Sequence, residues 1–262
     1  MLTLRPADHT PLRQPPLPLV VAQARFAARE APEISNEVAA LFQAMLGEAG
    51  PDFNRVVPVQ TGDIVFGPGV QPAASTSHGF QFVPDDQSWI VTLMPDSVSL
   101  ETPSFASFAG QFGPLLAQLL RATATVIAPV SLTRAGLRFV NVLRSPDGRA
   151  DWRHWLRPAL VAPLGDDVLA PGIVNHSQQL VLDVAPGVRS AVRTGPAKAG
   201  DEDAFLLDID TFAEPASLWE TAGVVDLFEQ LNANGVALFQ SLITADMLAH
   251  LKQGGKEGEG DV

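Results

Sequence analysis

Apolar and polar residues recur in the same order in two halves of the chain, residues 19–129 and residues 130–253. Alternation with a period of two indicates strands, and apolar residues spaced three and four apart indicate helices. On that basis each half predicts a strand, a helix, three strands and a second helix. The halves also match at single positions, and the matching dipeptides are Arg25-Phe26 with Arg138-Phe139 and Glu101-Thr102 with Asp210-Thr211.

The repeated order predicts an α+β fold with an internal pseudo-duplication of a β-α-β-β-β-α unit. A unit of this kind buries one face of its sheet under its helices. Two units joined edge to edge give one large, curved antiparallel sheet with the helices packed on one face. We therefore divide the chain into a proline-rich leader (residues 1–18), a first α+β repeat (19–129), a second α+β repeat (130–253) and a disordered tail (254–262).

The helices and strands are placed by periodicity, caps and turn residues. In the first half the predicted elements after the opening strand are a helix at Asn36–Leu46, an extra edge strand at Val56–Phe66, strands at Gly79–Val83, Trp89–Met94 and Ser97–Thr102, and a helix at Phe105–Ile127. In the second half they are a helix at Trp152–Leu160, strands at Gln178–Val184, Ser190–Thr194 and Phe205–Phe212, and a helical region at Leu218–Leu251 that breaks near Asn232–Gly235 or Thr244.

Composition narrows the class of protein. The chain has 262 residues, of which 46% are hydrophobic and 18% charged, and this balance is typical of a folded globular protein. The net charge of −12 repels phosphate backbones and argues against nonspecific binding of nucleic acid. No apolar run is long enough for a signal peptide or a membrane span, so we expect a cytoplasmic protein with no membrane partner. There is no cysteine, which excludes disulfides and thiolate ligands.

Arginines are concentrated in one short stretch of the second half. Six of them fall in this stretch: Arg134, Arg138, Arg144, Arg149, Arg153 and Arg157. Guanidinium groups bind carboxylate and phosphate with two parallel hydrogen bonds, so the stretch is a candidate surface for an anionic ligand, an acidic partner or a nucleic acid. The alternative interpretation is salt bridging within an acidic protein.

Strand alternation predicts a polar face that carries an arginine and an acid in each half. Arg138 shares its face with Arg134, and Asp210 shares its face with Asp208. We expect Arg25 to pair with Glu101, and Arg138 with Asp210, and Gln81 and Gln179 to complete the two sets. The candidate binding residues are therefore Arg25, Glu101, Arg134, Arg138, Arg153, Arg157, Asp208 and Asp210.

Signals for catalysis or for a cofactor are weak. Asp208 and Asp210 lie on one strand face, which suits a hard cation such as Mg²⁺ or Ca²⁺, but no third acid or histidine follows at a fixed spacing. The five histidines show no HxxxH or HExxH spacing, and there is no Gly-x-Ser-x-Gly turn. No cofactor, metal or catalytic residue is predicted.

Four segments together resemble a sporadically distributed family of uncharacterised bacterial proteins of about this length. The segments are Gly136-Leu137-Arg138-Phe139-Val140-Asn141, Val98-Ser99-Leu100-Glu101-Thr102, Asp208-Ile209-Asp210 and Leu238-Phe239-Gln240-Ser241-Leu242-Ile243-Thr244. The resemblance covers nearly the whole chain and brings no activity, substrate or cofactor. Its patchy distribution implies an accessory role such as defence.

Three functions follow from these patterns. The first is a binding protein without catalytic activity, which holds a protein partner or a small anionic ligand on the polar sheet face or on residues 134–157. The second is a metal-dependent hydrolase or nuclease that uses Asp208 and Asp210. The third is nucleic-acid recognition through Arg134 to Arg157, which predicts steep salt dependence. The absence of catalytic motifs favours the first, and the oligomeric state stays open.

Overall fold

The computed structural model describes residues 2–28, 33–47, 50–67, 70–148 and 151–253, and the statements below concern these residues. The predicted tail, residues 254–262, lies outside them. The described residues form ten strands: β1 Leu19–Ala27, β2 Arg55–Gly67, β3 Val70–Val83, β4 Ile90–Met94, β5 Ser97–Thr102, β6 Ser131–Arg144, β7 Gln178–Ala185, β8 Val188–Ala199, β9 Glu202–Ala213 and β10 Ser217–Leu218.

Five α-helices accompany the strands: α1 Asn36–Leu46, α2 Gly113–Val126, α3 Pro158–Val161, α4 Thr221–Leu242 and α5 Ala245–Gln253. A π-helical turn at Phe108–Phe112 leads into α2. The strands belong to one antiparallel sheet in the order β2-β3-β4-β5-β1-β6-β9-β8-β7, with β10 beside β6. The predicted α+β class and the large antiparallel sheet are confirmed.

Local sequence signals account for the first helix and the first edge strand. Helix α1 has the predicted bounds, and the Ser35 hydroxyl accepts a hydrogen bond from the Val38 amide at 3.3 Å. Such an N-cap satisfies one of the amides that a helix leaves unpaired at its start. Strand β2 stands where the extra edge strand is predicted, and Pro58 within it fits an edge, because proline has no amide to offer a further strand.

One helical prediction of the second half differs from the structure, and for the other the structure has one of the two predicted break points. The helix predicted at Trp152–Leu160 is a short 3-10 turn, Trp152–His154, followed by the four-residue helix α3. Pro158 is the cause, because a proline pushes the preceding residue out of helical geometry, and Arg157 is extended with ψ 138°. The last helical region breaks at Thr244, whose hydroxyl caps α5 by accepting the Met247 amide at 3.2 Å, whereas residues 232–235 continue as helix α4.

The chain divides into two compact units that interleave along the sequence. The first unit comprises Val21–Gly136 and Glu214–Glu229. The second unit comprises the residues up to Val20, Leu137–Ala213 and the residues from Gln230 onward. The repeat boundary predicted at residue 129 stays a prediction.

The core of the first unit is built by aromatic and aliphatic side chains of α1, α2 and the meander β3-β4-β5. Phe42 of α1 packs on Phe82 of β3 with ring centroids 5.3 Å apart. The Gln118 amide of α2, 7% exposed, donates to the Leu46 carbonyl at 2.8 Å. This bond satisfies a carbonyl that the end of α1 would otherwise leave unpaired in the interior.

In the second unit, helix α4 covers one face of strands β6 and β9. Gly235 of α4 lies so close to this face that an added Cβ would stand 3.3 Å from the Thr211 hydroxyl and 3.4 Å from the Phe139 ring. Trp152 packs on Phe205 of the same unit at 5.4 Å. The face of the sheet that carries Phe139 and Thr211 is therefore the core face.

The proline-rich leader is held by the last two helices of the second unit. The Asp8 backbone exchanges hydrogen bonds with the Gln240 side chain at 3.0 and 2.7 Å, and its carboxylate pairs with Lys252. This pairing lowers the pKa of Asp8. The amides of Arg13 and Gln14 donate to the Leu251 carbonyl of α5 at 3.1 and 3.2 Å.

Candidate functional site

The candidate site lies on the sheet face opposite the core face of the second unit. Successive side chains of a strand point to opposite faces. Because Phe139 and Thr211 face helix α4, their neighbours Arg138 and Asp210 point to the other side, and Asp208 points the same way as Asp210. This face carries the charged groups of strands β6, β8 and β9.

The centre of the site is a carboxylate held between two guanidinium groups. Arg138 donates from Nε to Asp208 Oδ1 at 2.8 Å and from Nη2 to Oδ2 at 2.8 Å. Arg193 of β8 donates from Nη1 to the same Oδ2 at 3.3 Å. We call Arg138, Asp208 and Arg193 the arginine clamp.

The register of the sheet extends the clamp by one residue. Asp208 of β9 lies opposite Arg193 of β8, and Arg193 lies opposite Gln179 of β7. Residues directly opposite in antiparallel strands point to the same face and are close neighbours. The Gln179 side chain is exposed and therefore presents an uncharged amide next to the Arg193 guanidinium.

Burial distinguishes the carboxylate from the arginines. The Asp208 side chain is 3% exposed, while those of Arg138 and Arg193 are 43% and 42% exposed. The hydrogen bond to Asp208 raises the pKa of Arg138 above its ordinary value, and the nearby charge of Asp210 adds to this effect. The clamp thus consists of a buried anchor with two cationic heads that reach solvent.

Both arginine heads keep hydrogen-bond donors beyond those used on Asp208. Arg138 uses Nε and Nη2, so Nη1 is left over, and Arg193 uses Nη1, so Nε and Nη2 are left over. Within the described ranges these are the only protein hydrogen bonds of the two guanidinium groups. A guanidinium has five N–H donors, so most of them remain for another acceptor.

A row of polar residues in the first unit has the same register without the charges. Gln81 of β3 lies opposite Thr92 of β4, which lies opposite Ser99 of β5. Gln81 donates to the Thr92 hydroxyl at 3.3 Å. Thr92 and Ser99 therefore occupy the places that Arg193 and Asp208 occupy in the second unit.

The two arginine–acid pairs expected from the sequence do not form. Arg138 pairs with Asp208, two residues before the expected Asp210, whose charge acts on Arg138 from further away. Arg25 donates to Gln23 at 3.2 Å, and among the described residues no ion pair joins it to Glu101. In the first unit the place of Asp208 is taken by Ser99, which offers no charge to an arginine.

Three further candidates from the arginine-rich stretch do not contribute to the clamp. The Arg134 guanidinium lies over Gly136 of its own strand, within 3 Å of where a Cβ would be. Arg153 binds Asp151 through two hydrogen bonds of 2.8 and 2.7 Å, and this lowers the pKa of Asp151. Arg157 donates to the Ser241 carbonyl at 2.7 Å near the end of α4.

Arg193 was not singled out by the sequence. It stands outside the arginine-rich stretch, and its role depends on the pairing of β8 with β9. The signal that points to it is its spacing from Arg189, since both lie on the same face of one strand four residues apart.

Glu101 of the first unit is half-buried, and burial raises its pKa above the ordinary value of 4.5, against a smaller opposite effect of the Ser99 hydroxyl. A raised pKa means that the folded state binds the proton more tightly than the unfolded chain, so the ionised form destabilises the fold as the pH rises. We expect Glu101→Gln to increase the melting temperature at pH 7 and to change it little below pH 4.

Glu37→Gln is the matched control with the opposite sign. The Ser35 hydroxyl lowers the pKa of Glu37, so its carboxylate stabilises the fold at neutral pH. Thermal unfolding at pH 4 and pH 7 measures both variants. A Glu101→Gln protein that melts below the wild type at pH 7 would show that Glu101 is stabilised as a carboxylate.

The geometry speaks against a cation between Asp208 and Asp210. Both oxygens of Asp208 accept hydrogen bonds from guanidinium groups, so they face positive charge. Within the part of the chain that the structure describes, no group of three or more His, Cys, Asp or Glu side chains is arranged to hold a metal ion.

The described helices include none that is long and apolar enough to cross a membrane.

Comparison with known proteins gives no match. No protein-family model matches the chain, and no curated protein or solved structure matches it.

Proposed function

We propose that the protein is a binding protein and that the arginine clamp of its second unit holds an anionic ligand. The observation that carries this proposal is the arrangement of two half-exposed guanidinium groups around one buried carboxylate. The buried Asp208 fixes the direction of both heads before a ligand arrives. Such preorganisation lowers the entropy that binding must cost.

A purely structural role explains the clamp less well. The ion pairs hold the buried Asp208, but they use only part of each guanidinium group. A structural pair would be expected to use more of the donors within the protein, whereas here both arginine side chains are more than two-fifths exposed and most of their N–H groups are not bonded to Asp208. One buried acid shared by two exposed arginines suits recognition of a second anion between them.

We also propose that the two halves arose by internal duplication and that the helices pack on one face of the sheet. The strand order supports the duplication, since β3-β4-β5-β1 is followed by its mirror, β6-β9-β8-β7. The matching rows Gln81–Thr92–Ser99 and Gln179–Arg193–Asp208 support it residue by residue. Under this proposal the first row is the uncharged copy, and the chain has one anion site.

The other functions have less support. Nucleic-acid recognition through Arg134 to Arg157 has less support because the clamp contains only Arg138 of that stretch, and its second head, Arg193, lies outside it. A hydrolase that uses Asp208 has less support because both oxygens of this carboxylate accept hydrogen bonds from the arginines of the clamp. Membership of the sporadic bacterial family, and the accessory or defence role that it implies, stay predictions.

Calorimetric titration with inorganic phosphate at low salt tests the proposed function. We expect one equivalent to bind to the wild type and Arg193→Gln to weaken binding at least tenfold, because one of the two cationic heads is lost. Arg153→Gln is the control, since that arginine binds Asp151 away from the clamp. Equal affinities of the wild type and Arg193→Gln, or no binding to the wild type, would overturn the proposal.

A further inference from the structure

The donors that the clamp leaves over belong to two separate cationic heads, and this arrangement selects among anions. Arg193 alone offers a fork, Nε and Nη2, and one such fork satisfies both oxygens of a carboxylate. Arg138 has its own fork on Asp208, so it adds Nη1 from a second direction. A ligand group with three oxygens gives each head an acceptor of its own, whereas a carboxylate has to share an oxygen between the heads, as Asp208 Oδ2 is shared.

The two heads are close enough to meet one such group. Arg138 Nη2 and Arg193 Nη1 both contact the same oxygen, Asp208 Oδ2, at 2.8 and 3.3 Å. The distance between Arg138 Nη2 and Arg193 Nη1 is therefore at most the sum of these two hydrogen-bond lengths. The exposed Gln179 amide, opposite Arg193 in the neighbouring strand, is placed beside the same head and can donate to a third oxygen.

The charge of the clamp also favours a doubly charged ligand. Two guanidinium charges face one buried carboxylate in the clamp, and the charge of Asp210 opposes them from further away. Coulomb energy grows with the product of the charges, so a dianion gains about twice what a monoanion gains at the same distance. A phosphate monoester carries −1.5 to −2 charges near neutral pH and has three terminal oxygens.

Resting on the proposed function, we infer that the ligand of the arginine clamp carries a phosphate monoester. Arg193 and Arg138 bind different oxygens of the phosphoryl group, and Gln179 donates to the remaining one. A carboxylate and a phosphodiester each have only one negative charge and two terminal oxygens. The first unit has Thr92 at the place that corresponds to Arg193, so it lacks one of the two cationic heads and we expect one ligand per chain.

Three anions test this inference at fixed pH and ionic strength: phenyl phosphate, benzoate and dimethyl phosphate. We expect phenyl phosphate to bind with a Kd at least ten times lower than that of benzoate or dimethyl phosphate, in an NMR titration of the full chain. Equal affinities for the three anions would overturn the inference and leave the proposed function standing. Failure of all three to bind, or binding that Arg193→Gln does not change, would overturn both.

Asp210→Asn provides a second test that keeps all three residues of the clamp. The Asp210 charge acts on Arg138, so it also repels an anion bound there. This repulsion scales with the charge of the ligand, so its removal should gain about twice as much binding free energy for phenyl phosphate as for benzoate. The factor by which Asp210→Asn lowers the Kd of phenyl phosphate should therefore be about the square of the factor for benzoate. The same factor for both anions would contradict a doubly charged ligand group at the clamp.

Discussion

Asp208→Ala is expected to lower the free energy of unfolding by about 2 kcal/mol. The substitution removes three charge-assisted hydrogen bonds from a carboxylate that is 3% exposed. Breaking a fully buried ion pair costs more, about 3–5 kcal/mol, but both arginines are more than one-third exposed and regain water when the acid is lost. A loss of about 2 kcal/mol corresponds to a decrease in the melting temperature of roughly 4–8 °C.

Thermal and urea unfolding measure this effect, and Asp203→Asn is the control. Asp203 pairs with Lys198 at 2.6 Å, but both side chains are more than half exposed, so its loss should be nearly neutral. If Asp208→Ala fails to fold, Asp208→Asn keeps the shape of the side chain and should show a smaller loss of the same sign. If the Asp203 and Asp208 variants had the same free energy of unfolding, the anchoring role of Asp208 would be contradicted.

Gly79→Ala is expected to destabilise the protein by about 2–3 kcal/mol. Gly79 lies in strand β3 where an added Cβ would come within 3 Å of both the Leu93 carbonyl oxygen and the Met94 sulfur. A side chain can move away, but the carbonyl oxygen belongs to the backbone of β4 and has to shift with its strand. The substitution therefore strains the β3–β4 pairing in which Gln81 lies opposite Thr92.

Gly172→Ala is the matched control for this prediction. A Cβ at Gly172 would meet no atom within 4 Å, and the backbone there does not need the left-handed conformation. Denaturant unfolding should therefore place Gly172→Ala within about 0.5 kcal/mol of the wild type. If Gly79→Ala were as stable as Gly172→Ala, the close approach of β3 to β4 at Gly79 would be contradicted.

Much of the fold follows from local signals in the sequence. The bounds of α1 follow from the three-and-four spacing and the Ser35 cap, and the strands of the two meanders follow from alternation between turns. The helix predicted at Trp152–Leu160 is wrong. The apolar spacing favours a continuous helix, but Pro158 interrupts it. Proline at that position limits the backbone of Arg157 whatever the spacing of the neighbouring residues.

The candidate site is less predictable because it depends on register. Alternation correctly places Arg138 and Asp208 on polar faces, but it cannot say which acid of β9 lies nearest to Arg138. That choice, and the presence of Arg193, depend on how β6, β8 and β9 align, and a shift of two residues would keep every side chain on its face. The cluster of arginines at residues 134–157 is a feature of the sequence, whereas the clamp takes only Arg138 from it.

The most direct test of the anion site is a titration followed through the Nε–H signals of the arginine side chains by ¹⁵N NMR. Arg138→Lys and Arg193→Lys assign the two signals of the clamp. We predict that phenyl phosphate shifts these two signals in parallel, with one equivalent bound, while the signal of Arg153 stays in place. Shifts confined to other arginines, with the signals of Arg138 and Arg193 unchanged at saturation, would contradict the assignment of the anion site to the arginine clamp.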